Sequence, residues 1–264
     1  MRFVIAIIIS FLAFPTTAGS QATAKPSYTP ETIIEFSKKV EQYAANQGAY
    51  AFIIGRTGRP ESELPKGIKY THTAVAIYST IQLDNGETAY GYAIHNLYQR
   101  ANDMGTSDII VDYPVDFFWG AKVMQAGVII PTPELQKKLV NLVASQQHLS
   151  LHNPNYSVVA NPLNSEMQNC TEFTLDMLQA AIYDTTDISR IKSNNQAYFE
   201  PQRVHMSRFK LGLGSLFSDG VTLSDHHGKV KTATFSSIAR FMNEYDLATR
   251  VVDITESNIV ERAE

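Results

Sequence analysis

Cys170 is the only cysteine among the 264 residues of this chain, and seven histidines accompany it. Its setting, NCTEF at 169–173, is typical of the first turn of a helix. Backbone amides at such a position lower the pKa of a thiol and raise its reactivity. A single cysteine cannot close an intramolecular disulfide. The residue is therefore an inert buried thiol, an intermolecular link or a reactive group.

Thiol hydrolysis needs a thiolate, an imidazole that moves its proton and a polar group that orients the imidazole. His72 is the preferred base because it begins an apolar β-strand, where the ring is held rigidly. His95 lies on the returning strand of the same hairpin, within a few positions of His72. Cross-strand neighbours are ~5 Å apart at Cβ. We therefore expect a triad of Cys170, His72 and His95.

Other histidines have simpler interpretations. His148 and His152 flank a loop and are expected to be solvated. His226 and His227 are adjacent, so in an extended segment they point to opposite faces and form a poor chelating pair. No ligand spacing supports a zinc site. We expect neither a metal nor an organic cofactor.

Two arginines follow the first predicted strand. Arg56 and Arg59 belong to the polar segment RTGRP at 56–60, which predicts a solvated turn. The alternative is that they hold an anionic substrate.

Hydrophobic periodicity predicts the elements that position these side chains. Helices are expected over 31–46, 133–143, 171–182 and 236–245. Strands are expected over 51–55, 71–78, 88–97, 127–130 and 249–254, with a tight turn at Asp84-Asn85-Gly86. Helices interleaved with short strands indicate an α+β fold. No linker divides residues 25–264, which we expect to form a single domain.

The first 24 residues predict a signal peptide, with a basic start, an apolar core over 3–14 and cleavage after Ala18 or Ala24. A retained N-terminal anchor is the alternative. No later segment is long and apolar enough to span a bilayer. The expected location is therefore the periplasm of a bacterium or the medium. A net charge of −4 argues against a nucleic-acid-binding protein and gives no polybasic membrane patch.

Three segments occur in the order of a known superfamily: THTAVAIY at 71–78, YAIHN at 92–96 and NCTEF at 169–173. With histidine before cysteine, this order resembles the circularly permuted papain-like (NlpC-type) thiol hydrolases, which include the lecithin–retinol acyltransferase-like proteins. The resemblance implies an α+β fold with an antiparallel sheet packed against the Cys-bearing helix. It also implies catalytic roles for Cys170, His72 and His95. One departure is Ala74, where that superfamily commonly has Gly.

The mature chain is also similar to an exported bacterial family, domain-of-unknown-function family 2145. The segments that carry this similarity are GRTGRP at 55–60, LPKG at 64–67, YTH at 70–72, DYPVDFF at 112–118 and NCTEF at 169–173.

The functional hypothesis is an exported thiol hydrolase or acyltransferase that acts on an amide or ester. Its expected substrate lies in the cell envelope, as a peptidoglycan peptide or a lipid acyl group. The first alternative is a catalytically inactive envelope binding protein on the same fold. A second alternative is a disulfide-linked dimer, which lacks support because Cys170 has no resolving partner.

Overall fold

The computed structural model describes residues 26–83, 85–205 and 222–263. The predicted signal peptide, 1–24, and Asp84 of the predicted turn lie outside these residues. The described part of the chain contains six α-helices: α1 Pro30–Asn46, α2 Pro114–Trp119, α3 Pro133–Ala144, α4 Cys170–Tyr183, α5 Ile188–Tyr198 and α6 Phe235–Glu244. Two short 3₁₀ helices are Glu61–Glu63 and Gln147–Leu151. None of the described helices has the length and apolarity needed to cross a bilayer.

Seven strands form one large sheet. Its strands are β1 Ala51–Thr57, β2 His72–Gln82, β3 Thr88–Gln99, β4 Ser107–Asp112, β5 Val123–Pro131, β8 Ala248–Thr255 and β9 Ile259–Glu261. Their spatial order is β4-β3-β2-β1-β5-β8-β9, and every neighbouring pair is antiparallel. Two short strands, β6 Gln202–Arg203 and β7 Lys231–Thr232, pair separately. A large antiparallel sheet with helices confirms the predicted α+β class.

Helices cover both faces of the sheet because successive side chains of a strand point to opposite faces. On one face, Ile53 and Val75 belong to a core that includes apolar residues of α3, α4 and α6. On the other, Phe52 and Ala74 belong to a second core with residues of α1 and α2. The Cys-bearing helix α4 packs against β2 and β3.

The four predicted helices and the hairpin are confirmed to within a few residues. Helix α1 shows the local signals clearly, since Thr29 accepts a hydrogen bond from the N–H of Thr32 and Pro30 takes the first helical position.

Other elements are absent from the set that hydrophobic periodicity predicts. The mixed segment 98–120 contains β4 and α2, and the polar stretch after Asp184 contains α5, which Asp187 caps. Near the C-terminus, a further short strand, β9, lies at the edge of the sheet. These short or polar elements lack strong periodicity and form because neighbouring elements pair with them or pack against them.

Candidate active site

A cavity of about 570 Å³ opens where β2 begins and α4 starts. Cys170 and His72 both line it, together with Arg56, Tyr98 and Thr71. The structure therefore brings the predicted nucleophile and the predicted base to one cavity, although about a hundred residues separate them in the chain. Both side chains are largely covered, with 6% of Cys170 and 8% of His72 exposed.

Cys170 is the first residue of α4. The preceding Asn169 is the N-cap, and its Oδ1 accepts a hydrogen bond from the N–H of Glu172 at 2.9 Å. The other amides of the first turn have no acceptor within the helix. The Sγ atom lies 4.0 Å from the carbonyl oxygen of Thr71 and 3.9 Å from the hydroxyl of Thr171.

The site occupies a gap between two strands. The pairing of β2 with β3 runs from Gln82↔Thr88 to Val75↔His95 and does not include the first three residues of β2. The start of α4 uses the backbone groups that this gap leaves free. The hydroxyl of Thr174 donates to the carbonyl of Thr73 at 3.1 Å, and the Cys170 thiol faces the carbonyl of Thr71.

The ring of His72 is held by a hydrogen bond and by stacking. Its Nε2 lies 2.9 Å from Oδ1 of Asn96, and Nδ2 of Asn96 donates to the carbonyl of Ile94 at 2.9 Å. The second bond fixes the amide so that its oxygen faces the imidazole. Nε2 of a neutral His72 therefore carries the proton, and Nδ1 is the basic nitrogen. The ring also stacks on Tyr98, with centroids 4.7 Å apart and planes 5° from parallel.

Burial keeps both reactive groups neutral in the resting protein. Desolvation, together with the positive charge of Arg56, lowers the pKa of His72 to about 3. Desolvation raises the pKa of the Cys170 thiol, although backbone groups of Thr73 and Thr171 act in the opposite direction. The cavity is thus lined by a neutral thiol and a neutral imidazole. Among the described residues, no hydrogen bond joins Sγ to the His72 ring.

His95 lies elsewhere. It pairs with Val75, which faces the α3 and α4 side of the sheet. His72 lies three residues before Val75 in β2. It therefore faces the opposite side, because successive side chains of a strand alternate between faces. The His95 ring contacts His148, with centroids 5.0 Å apart. Burial and the charge of His148 lower the pKa of His95 to about 4. The structure therefore does not bring His95 to His72, and the polar residue that contacts His72 is Asn96.

Arg56 differs most from its sequence-based interpretation. Instead of belonging to a solvated turn, it is part of strand β1, where it pairs with His72 on one side and Ala126 on the other. Only 1% of the residue is exposed. Its guanidinium lies 5.1 Å from the ring centroid of Phe117 and 5.7 Å from that of Tyr98. Arg59 follows the strand and also lines the cavity.

The remaining histidines do not gather at the site. His148 is buried beside His95 and is not solvated as expected. His152 lies 3.2 Å from the hydroxyl of Ser107, and Nε2 of His226 lies 2.8 Å from the carbonyl of Val159. Within the described ranges, no group of three or more His, Cys, Asp or Glu residues is arranged to hold a metal ion.

A second cavity, of about 610 Å³, lies beside the end of β2 that is remote from His72. Its lining includes Tyr50, Tyr78, Pro131 and Val140. The described residues that line it include neither a cysteine nor a histidine. The predicted nucleophile and the predicted base both line the first cavity.

A family model describes the region that contains this site. Residues 43–242 match the family described as "Uncharacterized protein conserved in bacteria (DUF2145)". The chain belongs to this family. The matched region of the DUF2145 family includes Arg56, His72, Asn96 and Cys170, so every residue discussed above as a potential active-site group lies within it. No curated protein and no solved structure gives a significant match to the chain.

Proposed function

We propose that this DUF2145 protein is an exported thiol hydrolase or acyltransferase with a permuted papain-like fold. Cys170 is the nucleophile and His72 is the general base. The observation that carries the proposal is the shared cavity, which is lined by a thiol at a helix N-terminus and by an imidazole whose Nε2 is 2.9 Å from Oδ1 of Asn96. This is the set of groups that thiol-dependent acyl transfer requires.

The reaction begins when the Cys170 sulfur attacks the carbonyl carbon of an amide or ester. As the carbon–sulfur bond forms, the thiol proton passes to Nδ1 of His72. The tetrahedral intermediate then collapses and the bond to the leaving nitrogen or oxygen breaks. His72 returns the proton to this leaving group, and a thioester remains on Cys170. Water, or an acceptor alcohol or amine in an acyltransferase, attacks the thioester while His72 accepts its proton, and the thiol re-forms.

The backbone at the start of α4 stabilises the negative oxygen of the intermediate. The N–H of Cys170 is in the first turn of the helix, where amides have no acceptor within the helix. The partial positive charge of the helix N-terminus adds to this effect. Asn96 takes the orienting role that the sequence had suggested for His95.

We propose that this chemistry takes place in the bacterial periplasm or outside the cell, because the first 24 residues predict a signal peptide. The substrates available there include peptidoglycan peptides and acylated lipids, and both contain the carbonyl groups that the mechanism uses. We propose no role in nucleic-acid binding, since the net charge is −4.

A second candidate function is a non-catalytic envelope binding protein. It is favoured by the resting state of the thiol, whose sulfur faces the Thr71 carbonyl and whose pKa is raised by burial. In this case the cavity binds an envelope ligand and Cys170 is a buried structural residue.

Acylation of Cys170 decides between the two candidates. Mature protein is incubated with p-nitrophenyl acetate, and intact-mass spectrometry with peptide mapping measures acetyl addition. We expect acetylation of wild type at Cys170, none in Cys170→Ala and slow acetylation in His72→Gln. His95→Gln is the matched control, because it removes a buried imidazole that is not among the residues lining the cavity. If wild type remains unmodified, or if His72→Gln reacts as fast as wild type, the binding-protein candidate is favoured.

A further inference from the structure

Arg56 presents a buried positive charge at the candidate active site. In the described structure, the only hydrogen bond of its guanidinium goes to the carbonyl oxygen of Phe117. Its Nε atom is buried and has no hydrogen-bond partner. None of the described carboxylates lies within ion-pair distance of this guanidinium, although the cavity contains Glu63.

A carboxylate, that of Asp112, offsets the positive charge of Arg56 only indirectly, through Tyr98. The hydroxyl of Tyr98 donates to Asp112 at 2.5 Å, and Tyr98 lies between that carboxylate and Arg56. Buried charges in proteins are normally paired and hydrogen-bonded, because removal of an ion from water costs several kcal/mol. A guanidinium has five N–H donors, and Arg56 uses one of them on the protein. Donors therefore remain for an anion that enters the cavity.

Other charges at the cavity favour the same kind of ligand. Arg59 and Lys122 line it, whereas Glu63 is the single carboxylate among the described residues that line it and lies 4.0 Å from Arg59. A cavity with an excess of one sign of charge attracts ligands of the opposite sign.

We propose that Arg56 binds a carboxylate of the substrate, so that the protein acts on acyl compounds bearing a free carboxylate next to the reacting bond. This inference rests on the proposed function. Arg56 lies close to His72 because both side chains contact the same two aromatic rings. The His72 ring centroid is 4.7 Å from that of Tyr98 and 5.5 Å from that of Phe117. The Arg56 guanidinium lies over these two rings as well. Guanidinium pairs with carboxylate through two parallel hydrogen bonds. A peptide with a free carboxylate fits this site better than an uncharged lipid ester.

The test compares two ligands that differ only in the carboxylate, N-acetyl-L-alanine and N-acetyl-L-alaninamide. Their affinities for the mature protein are measured by ligand-observed NMR titration. We expect wild type to bind the acid at least about tenfold more tightly than the amide, and Arg56→Met to lose this preference. Arg59→Met is the matched control, since it removes a cation from the outer part of the cavity, and it is expected to keep most of the preference.

Equal affinity of wild type for the two ligands, no binding of the acid, or an unchanged preference in Arg56→Met would overturn the proposal. Circular dichroism establishes that each variant folds. If Arg56→Met does not fold, Arg56→Lys replaces it, because this variant keeps the charge but loses the planar fork. An unchanged affinity of Arg56→Lys for the acid would then overturn the proposal.

Failure of this inference is distinguishable from failure of the proposed function. Selective binding of the acid without acetylation of Cys170 contradicts the enzyme proposal alone. Acetylation of Cys170 without selectivity for the acid contradicts the role of Arg56 alone.

Discussion

Asn96 and His72 lie on neighbouring strands and face the same side of the sheet, with Oδ1 of Asn96 2.9 Å from Nε2 of His72. The amide is itself held, because its Nδ2 donates to the carbonyl of Ile94. This chain of two hydrogen bonds sets the tautomer of the imidazole and leaves Nδ1 as the proton acceptor. Asn96 is therefore a positioning residue, which acts on the reaction through His72.

Replacement of Asn96 by Ala should slow acyl transfer while Cys170 and His72 both remain. Without the Oδ1 acceptor, the His72 ring is no longer held in one tautomer. The ring also loses the hydrogen bond with Asn96, which raises the pKa of His72. We expect acetylation of Cys170 by p-nitrophenyl acetate to fall by about tenfold or more. The pH–rate profile is the decisive measurement, since a purely structural defect would lower the rate without moving the profile.

Two variants control this prediction. Asn96→Asp keeps an acceptor at Oδ1 and should restore part of the rate and shift the profile to higher pH, because a carboxylate favours the imidazolium. His95→Gln changes the adjacent residue on the opposite face and should leave the profile in place. A profile that responds equally to Asn96→Ala and His95→Gln would contradict the assigned role.

The stability of the protein should depend on pH through His72. Its pKa falls from 6.5 to about 3 on folding, so the unfolded chain takes up a proton below pH 6.5 that the folded ring does not accept. The stability that neutral His72 contributes is therefore complete above pH 6.5 and is lost as the pH falls toward 3. Between pH 6.5 and 5 the expected loss is about 2 kcal/mol.

Urea unfolding of wild type and His72→Gln across this pH range measures the effect. The variant should lose less stability than wild type as the pH falls, since glutamine does not titrate. His205→Gln is the control, because His205 is exposed and its replacement should leave the wild-type dependence intact. Parallel curves for wild type and His72→Gln would show that the imidazole is not buried as described.

Lys192 should be essential to the stability of the Cys-bearing helix. Its Nζ donates to Glu172 at 2.7 Å and to Asp176 at 2.8 Å, and both carboxylates are buried on α4. Lys192→Met removes the cation, so the two buried carboxylates lose the ammonium group that pairs with them. We expect the free energy of unfolding to fall by about 3–5 kcal/mol.

The matched control uses another Lys–Asp pair of the chain. Lys138 lies 3.1 Å from Asp184, but both side chains are exposed. Lys138→Met should therefore cost less than about 1 kcal/mol. Similar losses in the two variants, measured by urea unfolding at neutral pH, would contradict the view that the Lys192 cluster is a buried ionic anchor.

The prediction of an orienting residue illustrates the limit of sequence reasoning in a hairpin. The turn at Asn85-Gly86 fixes which strands pair. The prediction that residues near 95 lie opposite the first half of β2 is confirmed. The side-chain period of a strand is two, so a difference of one residue moves a side chain to the other face. In the observed register, His95 lies opposite Val75, and Asn96 is therefore the residue that contacts His72.

Arg56 shows a different limit. Its neighbours in RTGRP are turn formers, and a charged residue at the end of an apolar run is usually solvated. Pairing on both sides, with β2 and with β5, extends β1 to Thr57 and buries the guanidinium. That pairing depends on strands distant in the sequence.

The sequence alone determined the α+β class, the helix predicted over 171–182 next to Cys170, the hairpin predicted over 71–97 that contains His72, and membership of a bacterial family. These features follow from local periodicity, turn residues and short motifs. Tertiary structure decided the rest: the gap between β2 and β3 that receives the thiol, the pairing of Asn96 with His72 and the burial of Arg56. The physical reason is that register and burial depend on contacts between segments far apart in the chain, which the local pattern of a segment does not specify.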